Sequence, residues 1–339
     1  MSNLGGGYSL TEIDLPSYVN CFSHLDASVA DTVLTDGAMR FSGTSYASSS
    51  SSAFTWTNGM TLAFWARRYA SYTTSATATL LSKTQEVAGN GGFFLDALNE
   101  GGDYRLRFYT SATGSGSLSG LHSSSLNLLD TNWHFIAAKI NTSQKLLRRD
   151  ASAITASGTA LHTSTFALRL NHYSEGDHRR PIDYDSLGIW NRGLTNDELD
   201  FLYNGGIGRR YHELDNDMKQ SLVAFYEMAG NLIDVHGGND LTASGVPLPI
   251  VGHVSGPAQN GDIVSNWRDA NGRVHAQPSI SSRPIKDDTE EAIQFDGNQR
   301  LLRTGGLPVQ SQGTIALVVK PSALPASNGD FIGFTGFYG

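Results

Sequence analysis

The stretch IDYDSLGIWNRGLTNDELDFLYNGG, from Ile182 to Gly206, decides the fold. Its first part predicts a strand over residues 183–190 that ends at Trp190. Thr195 is a favourable N-cap, and Glu198 stands three residues later, where it completes a capping box. The stretch therefore predicts an extended segment followed directly by a helix.

The same stretch limits the length of the helix. Leu194 and Leu199 occupy the two positions of a hydrophobic staple around the N-cap. Gly205 and Gly206 follow the last apolar residue and can adopt the positive φ that ends a helix. We expect a helix of one to three turns that closes a domain made mostly of strands.

The composition favours strands and turns. The chain has 339 residues, of which 39% are hydrophobic and 17% charged, with 37 glycines and a formal net charge of −8. This charge fraction is below the roughly 25% of typical globular domains. An acidic chain without a run of Lys or Arg lacks the electrostatic footprint of a nucleic-acid-binding protein. Cys21 is the only cysteine, so no internal disulfide is predicted.

Several segments either alternate apolar and polar residues or are apolar throughout, and small polar residues separate these segments. GMTLAFWARR (59–68) and NWHFIAAKI (132–140) predict buried strands. DYRLRFYT (103–110) predicts a strand with one wet face, formed by Arg105, Arg107 and Tyr109. Strands at this spacing predict an all-β fold, an antiparallel β-sandwich with one short C-terminal helix.

An internal repeat indicates a second domain. AMRFSG (38–43) matches AIQFDG (292–297), and GMTLAFWARR (59–68) parallels GTIALVVKP (313–321) at nearly the same distance. We therefore expect one domain over residues 1–215 and a second, incomplete copy over residues 216–339. Because the second copy lacks the later strands, we expect the sequence to be a fragment.

The strand and helix motifs together resemble a known family. Trp133–His134 opens a central strand, and Asp185, Leu187, the Asn191–Leu194 turn and Leu202–Tyr203 close the domain. This order resembles the laminin-G-like, concanavalin-A-like domains over roughly residues 20–206. The resemblance implies a jelly roll. Residues 263–284 resemble a variant of the same superfamily found in virus tail proteins and in some arabinose-releasing enzymes.

The resemblance implies a structural calcium ion. Calcium prefers carboxylate and carbonyl oxygens, and in the family it joins the last core strand to an N-terminal turn. Asp185 matches that strand position, Asp183 lies nearby, and Asp234 is the counterpart in the second copy. The alternative is that these carboxylates are solvated or bound by turn amides. Ser186 stands where the family usually has a second acidic residue.

A polar loop and one tryptophan are the candidates for binding sugar. Sugars stack on aromatic faces with polar groups around them. The loop carries such a mixture, and Trp56 precedes a strand; the candidates are Asn171, His172, Tyr173, Asp177, Arg179 and Trp56. The alternative is that the loop is a solvated turn. The tryptophans within predicted strands, Trp65, Trp133 and Trp190, are assigned to the core.

No catalytic motif is found. Jelly-roll glycosidases resemble one another in a Glu-x-Asp-x-x-Glu strand that presents two carboxylates. TEIDLPS places Glu12 and Asp14 at that spacing, but Ser17 is the third residue and Pro16 interrupts the strand. We therefore predict no catalytic residues.

These observations predict a protein that binds rather than catalyses. We expect a carbohydrate on a cell surface as the ligand, and a virus particle or another extracellular surface as the setting, because no signal peptide is found. Other virion proteins and a homo-oligomer are further partner classes; nucleic acid and membrane insertion are not expected. Two alternatives remain: a purely structural virion protein without glycan binding, and a fragment of a polysaccharide-degrading enzyme.

Overall fold

A computed structural model describes one compact unit of the chain. It describes residues 33–49, 52–56, 59–73, 75–84, 91–114, 118–128, 130–158, 160–173, 178–257, 261–268, 274–277, 283–287, 292–294 and 302–303. These residues belong to a unit that runs from Ser23 to Thr304. The residues of a second unit, Met1–Phe22 and Gly305–Gly339, lie outside the described residues.

The larger of the two main sheets has eleven described strands, with antiparallel pairing throughout. Its central strands are apolar on both sides, as the sequence predicts for residues 59–68 and 132–140. The strands are β1 (Val33–Phe41), β3 (Met60–Arg68), β8 (His134–Ile140), β9 (Gln144–Arg149), β10 (Ser152–Ser157), β12 (Ile182–Trp190), β13 (Leu222–Tyr226), β15 (Leu248–Pro257), β16 (Asn266–Arg268), β17 (Val274–Ala276) and β20 (Leu302–Arg303).

The second sheet has seven described strands in the spatial order β14-β2-β11-β4-β5-β6-β7. They are β2 (Tyr46–Ser49), β4 (Thr77–Lys83), β5 (Phe93–Leu98), β6 (Arg105–Thr110), β7 (Ser119–Asn127), β11 (Leu168–Leu170) and β14 (Thr242–Ser244). A separate pair is formed by β18 (Ile285–Asp287) and β19 (Ala292–Gln294).

The core lies between the two main sheets. Alternate residues of the strands point into it, which is the pattern of a β-sandwich. In β6, Leu106 and Phe108 are buried in the core, while Arg105, Arg107 and Tyr109 stay partly exposed on the other face. The predicted wet face of β6 and the predicted β-sandwich are thus confirmed.

The helix predicted after residue 194 is present as α1, Asn196–Tyr203. The Thr195 side chain accepts a hydrogen bond from the Glu198 N–H, and the Glu198 carboxylate accepts one from the Thr195 N–H. Hydrogen bonds from Arg192 and Thr195 hold the pKa of Glu198 at about 2. Leu194 and Leu199, the predicted staple, are both buried.

The outer face of the eleven-stranded sheet carries a second apolar layer. Leu199 and Leu202 of α1 pack there with Trp65 and Phe135, which point away from the main core. A 3₁₀ turn, Tyr211–Glu213, and the helix α2, Asn216–Gln220, follow α1.

The strands after residue 215 join the same sandwich. β13 pairs with β12, β15 pairs with β1, and β14 pairs with β2. Residues beyond the predicted boundary at 215 thus contribute strands to both main sheets. The tandem second copy is not confirmed, since the described part of residues 216–304 completes the first sandwich. In the described parts of the chain, no helix is long and apolar enough to cross a membrane.

Candidate functional site

The outer face of the seven-stranded sheet presents a row of residues that lie in register across all seven strands. Directly paired residues on neighbouring strands point to the same face. Phe93 and Leu95 of β5 point into the core, so Phe94 between them points outward. The row contains one residue from each strand, in spatial order: Thr242, Ser48, Arg169, Ser82, Phe94, Tyr109 and Gly120.

Aromatic rings cluster on this face. We name them the aromatic face; its members are Tyr46, Phe94, Tyr109, His172, Tyr173 and His178. The Phe94 ring lies 4.8 Å from that of Tyr173 and 6.2 Å from that of Tyr109. Tyr173 stacks on His178 at 5.4 Å, with 14° between the ring planes. Phe94 and Tyr173 are buried, whereas the other four residues are partly exposed.

Tyr109 lies over a glycine. A Cβ atom on Gly120 would be 2.4 Å from Cε1 of Tyr109, which is closer than atoms in contact approach one another. The absence of a side chain at position 120 therefore lets the tyrosine ring lie against β7. Tyr109 is partly exposed, and sugar rings stack on exposed aromatic surfaces.

An ion pair lies beside the aromatic face, in the next register position. Asp96 of β5 pairs with Arg107 of β6, which in turn pairs with the exposed His122 of β7. Nε and Nη2 of Arg107 lie 2.8 Å and 2.5 Å from the two carboxylate oxygens of Asp96. Burial raises the pKa of Asp96 to about 6, against the lowering effect of Arg107. The Arg107 guanidinium also lies 5.4 Å from the Tyr109 ring.

Asn171 holds the start of the predicted sugar-binding loop. Its side chain is fully buried, and its φ of +59° is a left-handed conformation that asparagine tolerates. Its Nδ2 donates to the carbonyl oxygens of Ser42 and Ser45, and its Oδ1 accepts from the Arg180 N–H. Asn171 thus fixes the loop and offers no free group to a ligand.

The next residues of the loop lie across β4. The Ser82 hydroxyl donates to the His172 carbonyl at 2.8 Å, and the Thr79 N–H donates to the His178 carbonyl at 3.0 Å. The His172 ring lies 4.4 Å from the Tyr46 ring. These contacts place His172 and Tyr173 on the aromatic face, and their role in binding sugar stays a prediction.

The remaining sugar-binding candidates differ in location. Arg179 donates to the Thr44 carbonyl at 3.2 Å, near the turn that Asn171 holds. Asp177 lies outside the described residues. The structure does not bring Trp56 to this face: its side chain is buried in the core, 6.0 Å from the Phe93 ring.

The predicted calcium ligands on β12 are occupied by other groups. Asp183 is fully buried, and it accepts hydrogen bonds from Arg40 at 2.8 and 2.9 Å and from Arg67 at 2.8 Å. Asp185 is also buried, and its Oδ2 accepts the N–H groups of His253 and Val254. Oxygens of both carboxylates already accept hydrogen bonds from N–H groups, and these donors stand where a calcium ion would have to approach. Neither carboxylate therefore fits a calcium ion.

Asp234, the third predicted metal ligand, organises a turn. Its Oδ1 accepts the N–H groups of Phe225 and His236, and its Oδ2 accepts those of Gly237 and Asn239. It does not fit calcium for the same reason, and the turn-amide alternative describes its contacts. Across the described residues, no three His, Cys, Asp or Glu side chains are placed to hold a metal ion.

Several members of the site were not among the sequence candidates, and four of them lie on neighbouring strands. Phe94, Asp96, Arg107 and Tyr109 come from two adjacent strands, β5 and β6. The alternation of β6 does place Arg107 and Tyr109 on a wet face. The sequence does not give the register that brings them beside β5 and the loop at 171–180, because register depends on contacts distant in the chain.

Comparison with solved structures identifies several chains of low sequence identity. The binding domain of botulinum neurotoxin DC in complex with SialylT is 14% identical, with a TM-score of 0.34, over 43% of this chain and 35% of that chain. A Bacteroides ovatus protein proposed to bind carbohydrate is 14% identical, with a TM-score of 0.47, over 65% and 61%. The binding domain of Paraclostridial Mosquitocidal Protein 1 is 12% identical, with a TM-score of 0.41, over 76% and 57%.

The chain thus spans between 35% and 61% of the length of these solved chains. No curated protein matches it. A family model, Laminin_G_3, matches the region from the end of β1 into α1, which includes five complete strands of the larger sheet, six of the seven strands of the second sheet and the aromatic face. That model describes the concanavalin A-like lectin/glucanases superfamily, and it matches residues 41–200 of this chain.

Proposed function

We propose that this protein is a non-catalytic glycan-binding module and that the aromatic face is its binding surface. The observation that carries the proposal is the partly exposed Tyr109 ring. It lies against Gly120 and beside the charged Arg107 side chain. An aromatic surface with a hydrogen-bond donor at its edge suits a sugar ring, which has apolar C–H faces and a rim of hydroxyl groups.

The family of residues 41–200 supports this ligand class, because the superfamily is named for lectins and glucanases. The charge arrangement favours a lectin over a glucanase. Hydrolysis of a glycosidic bond ordinarily needs two carboxyl groups on either side of the bond. Among the described residues of the aromatic face and of the register position next to it, the carboxylate is that of Asp96. This carboxylate is buried and bound by Arg107.

We further propose that the glycan is displayed on a cell surface and that the protein acts on a virus particle or another extracellular surface. The Ser- and Gly-rich composition and the resemblance of residues 263–284 to virus tail proteins support this setting. A purely structural role in a virion is the competing function, and it requires no glycan binding.

A glycan-array screen of the full chain tests the proposal. We expect binding to a defined set of glycans, and we expect Tyr109→Ala to weaken binding to them about tenfold, the effect of roughly 1.4 kcal/mol. Phe201→Ala is the matched control, because Phe201 is a partly exposed aromatic residue of α1, on the outer face of the other sheet. Thermal unfolding of each variant verifies that it is folded.

Two results would contradict the proposal. A folded full chain that binds none of the glycans would favour the structural role. Equal losses of binding in Tyr109→Ala and Phe201→Ala would place the binding surface elsewhere on the molecule.

A further inference from the structure

We propose that the glycan bound on the aromatic face contains an anionic sugar, and that Arg169 selects it by binding its carboxylate or sulfate oxygens. This inference rests on the proposed function, since it names the ligand class of the same face. Arg169 lies on β11, between Leu168 and Leu170, which point into the core. It therefore points outward, and it occupies the middle of the registered row, between Ser48 and Ser82.

Arg169 differs from most arginines of this protein because it has no carboxylate partner. In the part of the chain that the structure describes, its side chain forms no hydrogen bond or ion pair, and its only ring contact is with Phe166 at 5.5 Å. Most other described arginines are paired with an acidic side chain. These are Arg40, Arg67, Arg105, Arg107, Arg148, Arg149, Arg192, Arg209, Arg210 and Arg283.

The unpaired state of Arg169 is informative because the chain is acidic. With 32 Asp and Glu against 24 Lys and Arg, carboxylates are available to pair with arginines. A planar guanidinium binds a carboxylate or sulfate through two parallel hydrogen bonds. Arg107 cannot offer this fork, because Asp96 occupies it. Of these two arginines, Arg169 is thus the one whose fork remains available.

The surroundings of Arg169 suit a sugar that carries the anion. Ser48 is its cross-strand neighbour on one side, and Thr242 follows Ser48 at the exposed edge of the sheet. Both offer hydroxyl groups to the hydroxyls of a sugar. Tyr46 lies two residues before Ser48 on the same face of β2, and its ring is 4.4 Å from the His172 ring. An aromatic pair, hydroxyl groups and a free cation therefore meet at one end of the aromatic face.

The register also sets the length of the ligand. Arg169 and Tyr109 are separated by three strand spacings, through Ser82 and Phe94. At about 4.8 Å per spacing this is roughly 14 Å, the reach of an oligosaccharide rather than a single sugar. We infer that an anionic residue binds at Arg169 while a further residue of the same chain stacks on Tyr109.

Paired oligosaccharides that differ only in one acidic group test the inference on the full chain. The array holds sialylated, uronic-acid-containing and sulfated oligosaccharides, each beside its neutral counterpart. We expect at least one acidic member to bind about tenfold more tightly than its neutral partner, and the difference to shrink at high salt. We expect Arg169→Gln to remove the difference but to keep binding to the neutral partner. We expect Arg169→Lys to keep part of the difference.

Lys219→Gln is the control for net charge, because it removes one positive charge from α2, on the other sheet. An acidic preference that persists in Arg169→Gln, or that falls equally in Lys219→Gln, would overturn the inference. Binding of glycans with no acidic preference would also overturn it, while leaving the proposed function intact. A folded chain that binds no glycan would instead contradict the proposed function itself. A comparison of binding to the carboxylate-bearing oligosaccharides with binding to the sulfated ones identifies which anion is recognised.

Discussion

Arg210 and Asp185 are both fully buried, and Nη1 of Arg210 lies 3.4 Å from Oδ1 of Asp185. The same guanidinium donates to the carbonyl oxygens of Glu227 and Val254. Arg210 follows α1, Glu227 follows β13 and Val254 lies in β15. One buried cation thus connects the family-matched sandwich to the segments that follow it.

We expect Arg210→Met to be strongly destabilising. It would leave Asp185 and Glu227 buried without their cation, and loss of one partner from a buried ion pair costs about 3–5 kcal/mol. Urea unfolding measures this change. Arg105→Met is the control, since Arg105 pairs with Glu100, whose side chain is 57% exposed, and we expect a loss of about 1 kcal/mol or less there. Similar losses in the two variants would contradict the buried-network account.

The pH dependence of stability should report Glu227. Burial raises the pKa of Glu227 from 4.5 to about 7, with Arg210 opposing the rise and Asp262 and Asp185 adding to it. The folded state then binds the proton more tightly than the unfolded state. The stability that Glu227 contributes is therefore complete below its unfolded pKa and is lost as the pH rises through its folded pKa.

We expect Glu227→Gln to reduce the decline in unfolding free energy between about pH 5 and about pH 8, by an amount on the order of 3 kcal/mol at most. Denaturant unfolding of both proteins across this range gives the difference curve. The comparison between the unaltered protein and Glu227→Gln is needed because burial also raises the pKa of Asp96 and Asp185. These two groups also make the unfolding free energy decline as the pH rises. Glu100→Gln, at an exposed site, should leave the slope unchanged; an unchanged slope in Glu227→Gln would refute the assignment.

Local signals in the sequence predicted their structures well. The Thr195–Glu198 capping box depends on residues three apart, and the alternation of β6 reflects a single strand. The strand β7 was not predicted, because Ser119–Asn127 contains little apolar surface to give a pattern. The roles of Asp183 and Asp185 were not predicted either. Their partners, Arg40, Arg67 and Arg210, are set by strand pairing, and no spacing within the chain encodes that pairing.

Gly120 should matter for binding rather than for stability. A Cβ at this position would displace the Tyr109 ring from β7, and the ring would no longer present its surface beside Arg107. We expect Gly120→Ala to weaken glycan binding nearly as much as Tyr109→Ala, about tenfold, with less than about 1 kcal/mol lost in unfolding free energy. Binding titration and thermal unfolding measure the two effects.

Gly43→Ala provides the matched control for this substitution. A Cβ on Gly43 would have its nearest neighbour, the Arg179 carbonyl oxygen, at 3.8 Å, an ordinary contact. We expect Gly43→Ala to bind like the unaltered protein. If Gly120→Ala binds equally well, the position of the Tyr109 ring over β7 does not determine binding.

A chain that ends at residue 215 should not form the stable sandwich, although it contains the whole family-matched region. It would lose β13, the partner of one half of β12, and β15, the partner of β1. It would also expose core surface now covered by Ala224 and Tyr226. Arg210 would remain, but without the Glu227 and Val254 carbonyl oxygens that now accept its hydrogen bonds.

Together these losses should exceed the roughly 5–15 kcal/mol by which a folded domain is stable. We expect circular dichroism and thermal unfolding to show no cooperative transition for residues 1–215. A chain that ends at residue 304, the limit of the compact unit, should unfold cooperatively near the midpoint of the full chain. A cooperative transition for residues 1–215 at that same midpoint would mean that the later strands add nothing to the stability of the sandwich. This result would contradict the conclusion that β13 and β15 complete the sandwich.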